Sequence, residues 1–115
     1  MTVDFYTLPD GVKPVQEFLD ALPVKLSTKT VRVIALLHAQ GISIRAPYSK
    51  HLSDGIFELR ANLATDEARV LYFFLVGDKA VLTHGFVKKT GKTPPEEIER
   101  AKKYRAEYLG RKERK

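Results

Sequence analysis

Arg69 opens the most apolar stretch of the chain, RVLYFFLV over residues 69–76. An arginine fixed there can clamp a phosphate, because its planar donors match phosphate oxygens. The structural alternative is a cross-strand ion pair with Glu58, worth about 0.2–1 kcal/mol at a surface, and on local features alone it is the stronger reading. Upstream, Glu58-Leu59-Arg60 lies in an alternating stretch. Strand geometry puts Glu58 and Arg60 on one face, about 7 Å apart. A carboxylate beside cations could take the proton of a 2′-hydroxyl. A cation would then steady the phosphorane and an acid would protonate the departing 5′-oxygen. The same cations weaken any carboxylate as a base, and the pattern is common on surfaces.

Lys88, Lys89 and Lys92 make a basic loop that could hold a backbone phosphate or protonate a leaving group. A charge run of this kind is also the ordinary look of a solvated loop. His84 stands two residues before Phe86, hence on its face in a regular strand. Imidazole can move protons near neutral pH, but a histidine among apolar strand residues is more often a packing residue. Lys50 and His51 could form a further edge of an RNA groove. Tyr48 and Tyr72 are candidates for stacking a base, with burial in the sheet the stronger expectation for Tyr72.

The charge balance narrows the partner class. Residues 1–85 carry nine Lys/Arg and nine Asp/Glu, whereas residues 86–115 carry eleven and five, so 11 − 5 accounts for the net +6. A basic surplus at one end suits a polyanion, since phosphate contacts drive such binding. With no cysteine, disulfides, zinc ribbons and thiol catalysis are excluded, and a reducing cytoplasm is the expected home. His38, His51 and His84 lack metal-ligand spacing, so no metal or cofactor is expected. No apolar run reaches the ~18 residues of a membrane span, and the start carries no secretory signal pattern.

The elements that must position these residues follow from periodicity. Residues 2–7 read as a first strand before the turn Pro9-Asp10-Gly11. Val15, Phe18, Leu19 and Leu22 keep helical spacing over residues 12–22. Leu26, Val31, Ile34 and Leu37 do so over residues 24–40, with Pro23 between the helices and Gly41 as the stop. Residues 42–52 look irregular. Strands are expected over residues 56–63, 69–76 and 80–87, joined by Thr65-Asp66-Glu67 and Gly77-Asp78 as an antiparallel meander. Thr93 with Glu96 forms a capping box before a last helix ending near Leu109-Gly110, and residues 111–115 are expected to fray. The order β-α-α-β-β-β-α indicates one α+β domain over residues 1–115.

In order, these segments resemble those of RelE/ParE-superfamily toxins. Residues 50–60, KHLSDGIFELR, are similar to a "K-x-L-x-x-G-hydrophobic-x-E-L-R" segment, and Arg69-Val70-Leu71-Tyr72 to an "R-hydrophobic-hydrophobic-Y" strand. Residues 84–94, HGFVKKTGKTP, resemble the signature of the phage-derived HigB-like branch, the most specific of the three. The resemblance implies a RelE-like fold and a ribosome-dependent mRNA interferase of a type II toxin-antitoxin system. Its partners would be the ribosome, mRNA and a neutralising antitoxin, expected to be a helix-turn-helix protein. It implies that Arg69 stabilises the phosphorane and that Lys88 or Lys89 donates a proton or anchors phosphate, with Lys89 the choice. Glu58 is the first candidate for the base, with His51 and Lys50 behind it. Lys50, His51, Arg60, His84, Lys88 and Lys92 would line the RNA. The chain departs from RelE in having Ile56 and Glu58 where RelE has lysines, and in having no tyrosine after the basic loop. Two rivals share much of this pattern: a ParE-like gyrase poison, and a non-enzymatic RNA- or partner-binding module.

Overall fold

Residues 56–88 contain three long β-prone stretches with short reversals, and such strands are stable only when their apolar faces are covered. The computed structural model describes residues 1–89 and 91–113. In chain order it contains β1 (Thr2–Phe5), α1 (Pro14–Ala21), α2 (Val24–Gln40), a 3-10 turn (Gly41–Ser43) and β2 (Ser49–Ser53). β3 (Ile56–Leu63), β4 (Asp66–Leu75), β5 (Lys79–Lys88) and α3 (Pro95–Glu113) complete it. The sheet runs β1-β5-β4-β3-β2, with β1 parallel to β5 and the other neighbours antiparallel. This is a mixed sheet in an α+β domain.

Helices cover both faces. Leu59, Ala61, Val70, Tyr72 and Leu82 pack against Val15, Leu19, Leu26, Val33 and Leu37 of α1 and α2. Ile56, Leu71, Phe73 and Val81 face the other way, onto Tyr6 and onto Ala101, Tyr104 and Tyr108 of α3. Double coverage explains why β4 reads as a nearly unbroken apolar run: either parity is buried. Among the described residues, no helix is long and apolar enough to cross a membrane.

Several boundaries differ from expectation. β1 is shorter than residues 2–7, although the Tyr6 amide still donates to the Leu82 carbonyl at 2.9 Å. α2 spans the expected residues, and Gly41 at φ 57 closes it, but its buried side is Leu26, Thr30, Val33 and Leu37. Val31 is left 49% exposed, because Thr30 can be buried by donating its hydroxyl to the Leu26 carbonyl at 2.7 Å. The irregular region contains a strand, β2, which pairs with β3. The β3–β4 reversal uses only Ala64 and Thr65, with Ala64 at φ 55, so Asp66 and Glu67 belong to β4. α3 starts at Pro95, with the Pro94 carbonyl accepting the Glu97 amide at 3.0 Å; the capping box is not what opens it. It passes Gly110 and reaches Glu113, because Arg111 is tied to Glu107 and donates to the Thr7 carbonyl at 2.9 Å. The end of the tail expected to fray, residues 114 and 115, lies outside the described residues.

α1 docks on β5 through Gly85. A Cβ at this glycine would collide with the Phe18 ring. Gly85→Ala should therefore destabilise the fold by about 1–3 kcal/mol, the usual cost of overpacking. Urea unfolding checks this, and Phe18→Leu in the same chain should recover much of the loss.

Candidate functional site

Sheet register gathers polar residues at one end of the α3-side face. Lys50, Glu58, Leu71 and His84 form a row from β2 to β5; Arg60, Arg69 and Phe86 form the next, and Asn62, Glu67 and Lys88 a third. Glu58 and Arg60 share a face, as alternation requires. Arg60 donates through Nε to Glu58 Oε2 at 2.7 Å, and its second contact to that oxygen is 2.6 Å.

Arg69 does not pair with Glu58. Its Nε donates to Glu67 Oε1 at 2.6 Å, and Arg60 Nε lies 3.8 Å from the same oxygen. The other two nitrogens of Arg69 reach the loop after β5: NH1 donates to Thr93 Oγ1 at 3.1 Å and NH2 to the Gly91 carbonyl at 2.7 Å. Thr93 in turn donates its hydroxyl to Glu58 Oε1. Two cations and two anions thus alternate in a closed network. Glu58 is 0% and Arg69 2% exposed, so both are held away from solvent. Both Glu58 oxygens accept hydrogen bonds, and Arg69 has no open path to a phosphate in this conformation. What the pair does here is hold Gly91 and Thr93 against the sheet.

His84 is 4% exposed, its Nδ1 3.1 Å from Thr83 Oγ1 and its Nε2 3.1 Å from Glu97 Oε1. It shares a face with Phe86, the rings 6.2 Å apart, and Tyr104 meets it edge-on at 5.7 Å. Burial pushes the imidazole below the ordinary histidine value of 6.5; the Glu97 carboxylate pulls the other way, and Arg100 adds slightly to the lowering.

The exposed part of the site is basic. Lys50, Lys89 and Lys92 are exposed and Lys88 is half-buried. Among the described residues none of the four joins an ion pair. Lys50 lines three grooves, two of them toward the residues of this site. One, of about 500 Å³, runs along Arg60, Asn62 and Glu67 below Pro47. The other, of about 190 Å³, is bounded by Leu52, Lys92, Thr93 and Ile98, with His51 at its margin. His51 follows Lys50 on a strand, so its ring turns to the opposite face and meets Phe57 at 4.9 Å. Its Nε2 accepts a long bond, 3.4 Å, from the Gly55 amide. Tyr48 is 46% exposed and lines a separate groove against α2, whereas Tyr72 is buried and shares a 2.5 Å hydrogen bond with Ser49.

Structure thus brings Lys50, Arg60 and Lys92 to the grooves, with Glu58 and Arg69 buried beneath them and Lys88 across from Glu67 on β5. It sets His84 under α3 and turns the His51 ring away. Three contributors were not among the sequence candidates: Glu67, Gly91 and Thr93. Glu67 had a readable signal, since a strand extended by two residues puts it on the Arg69 face. Thr93 had none distinct from its expected role as a cap.

Two measurements follow. Glu58→Ala leaves Arg60 and Thr93 without their buried acceptor and should cost about 3–5 kcal/mol in urea unfolding, the range for breaking a buried ion pair. For His84, the unfolded chain binds a proton near pH 6.5 that the folded site resists. Stability should therefore be full well above that pH and fall as pH drops through it into the acid range. Unfolding midpoints across that range check the slope, which His84→Gln should flatten.

The sequence model for the family described as phage derived protein Gp49-like (DUF891) matches residues 17–106. No curated protein matches the chain.

Proposed function

The chain belongs to the phage-derived Gp49-like family, toxin-like and related to RelE and HigB, and from that premise we propose a ribosome-dependent mRNA interferase. The fold is read as RelE-like, and the protein as the toxin of a type II pair neutralised by an antitoxin, expected to be a helix-turn-helix protein, in the cytoplasm. The observation that carries the reading is the pair Lys50 and Lys92, without ion pairs among the described residues, lining grooves at the end of the sheet where the specific "KKTGKTP" segment falls.

In this reading the strand of mRNA lies over Lys50, Arg60 and Lys92, whose cations meet its phosphates. The 2′-oxygen attacks phosphorus as its proton leaves to a base; the P–O5′ bond breaks, and Lys89 supplies the proton to the departing oxygen. Because Glu58 is enclosed and the His51 ring packs on Phe57 across the sheet, Lys50 is the base candidate at the groove. Arg69 and Glu58 act as positioning residues: they fix Gly91 and Thr93, and so the height at which Lys89 and Lys92 stand above the sheet. Preorganised cations of this kind are worth about 100- to 1000-fold in rate when aimed at developing charge.

Expression should arrest growth and leave cuts in translated mRNA, mapped by 5′-end sequencing. The Lys89→Ala, Lys92→Ala double variant should lower cleavage by about 100-fold or more while keeping its melting temperature. Intact mRNA under continuing translation would refute the reading. The closed state of Glu58 and Arg69 favours one alternative, a non-enzymatic RNA-binding module, whose mark is salt-sensitive RNA binding without cuts on translating ribosomes. DNA breaks with intact mRNA would point to a gyrase poison.

A further inference from the structure

The third groove that Lys50 lines, of about 230 Å³, opens on the opposite face of the sheet, beside the 3-10 turn. Its floor is aromatic. Phe57 and Tyr72 stack with 5.5 Å between ring centres, and Phe74 meets them edge-on at 5.1 and 5.3 Å. No acidic residue lines it.

Several donors at this groove lack acceptors. Arg45 rests its Nη1 on the Ile42 and Ile44 carbonyls at 2.7 and 3.1 Å, and both of those residues line the same groove. The guanidinium is thereby fixed, yet among the described residues its Nε and Nη2 reach no acceptor and no carboxylate pairs with it. His51 accepts the Gly55 amide at Nε2, so the neutral ring carries its proton on Nδ1, which has no partner among the described residues. Ser49 and Tyr72, both buried, share a single hydrogen bond. Two hydroxyls bring two hydrogens and one is used, so one buried O–H is left over.

We propose that this groove binds a small aromatic carboxylate carrying an oxygen on its ring. The ring lies on Phe57, Tyr72 and Phe74, in the offset and edge-on contacts that aromatic groups prefer. The carboxylate takes the free side of the Arg45 guanidinium, and the ring oxygen accepts the leftover hydroxyl hydrogen. Size agrees: a cavity of about 150 Å³ holds benzene, so this one admits a ring and its substituents but no length of chain. A nucleobase suits it less, because its edge presents several donors and acceptors and one buried O–H answers only one of them. The inference does not depend on whether the chain cuts RNA.

Titrating the full chain with the hydroxybenzoate isomers tests it. At least one isomer should shift the methyl signals of Ile42 and Ile44 saturably, with a Kd of about 1 mM or below. Its uncharged hydroxybenzyl alcohol counterpart should bind at least about tenfold more weakly, and so should the acid itself to Arg45→Gln. Ile42→Glu, at an exposed position, sets an anion at the mouth and should weaken the acid by a similar factor at an unchanged melting temperature. Absence of saturable shifts, equal affinity for the alcohol, or indifference to both variants would each overturn the proposal. So would uridine monophosphate moving the same methyl signals at lower concentration, which would make the groove a nucleotide subsite.

Discussion

Two arginines and two glutamates can share a dry site only if each guanidinium lies between acceptors and each carboxylate oxygen has a donor. Arg60 meets this condition between Glu58 and Glu67, and Arg69 meets it with Glu67, Thr93 and the Gly91 carbonyl. Thr93 closes the set by accepting from one arginine and donating to Glu58. The four charges sum to zero, and only Arg60 and Glu67 keep part of their surface in solvent. The consequence reaches past the sheet. The loop from β5 to α3 is tied down at Gly91 and Thr93, which sets where α3 begins and hence which of its residues lie over Leu71 and His84.

Much of this architecture was legible in the sequence, and the misses share a cause. β3 and α2 were readable to the residue, because β3 alternates cleanly and α2 is bounded by Pro23 and Gly41. β2 was hidden, since SKHLS has one aliphatic residue and its stability comes from pairing with β3, a tertiary effect. Thr65-Asp66-Glu67 has turn composition, yet Ala64 takes the left-handed conformation and leaves Glu67 in the strand. That shift decides the partner of Arg69: with Glu67 on its own face two residues away, Glu58 is released to Arg60. Thr93 carries the sequence of a cap, but its oxygen accepts from the Arg69 guanidinium rather than from a helix amide while its hydroxyl donates to Glu58, and the Pro94 carbonyl meets the first helical amides instead. Local rules read elements well; they could not see a network that exists only after four segments meet.

Burial also divides the basic residues by kind. Arginine sits where donors must be fixed in a plane against several acceptors, and lysine stands where a solvated charge projects into a groove. Arg69 and the half-buried Arg60 form the frame, while Lys50, Lys89 and Lys92 remain free for a polyanion. A phosphate arriving over the frame would meet lysines whose bases are held by a network too costly to rearrange. Precision then resides in the buried residues and the attraction in the exposed ones.

The short β2 links both faces of the sheet edge. Its length is enough to carry Lys50 across from Glu58, which completes the basic groove on the α3 side. It starts too late to cover Asn62, which leaves the opening beside α2 on the other side. Pro47, Arg60 and Asn62 line grooves on both sides, so the two openings share one rim. Lys50 is anchored by its strand pairing with Glu58, itself fixed by Arg60 and Thr93.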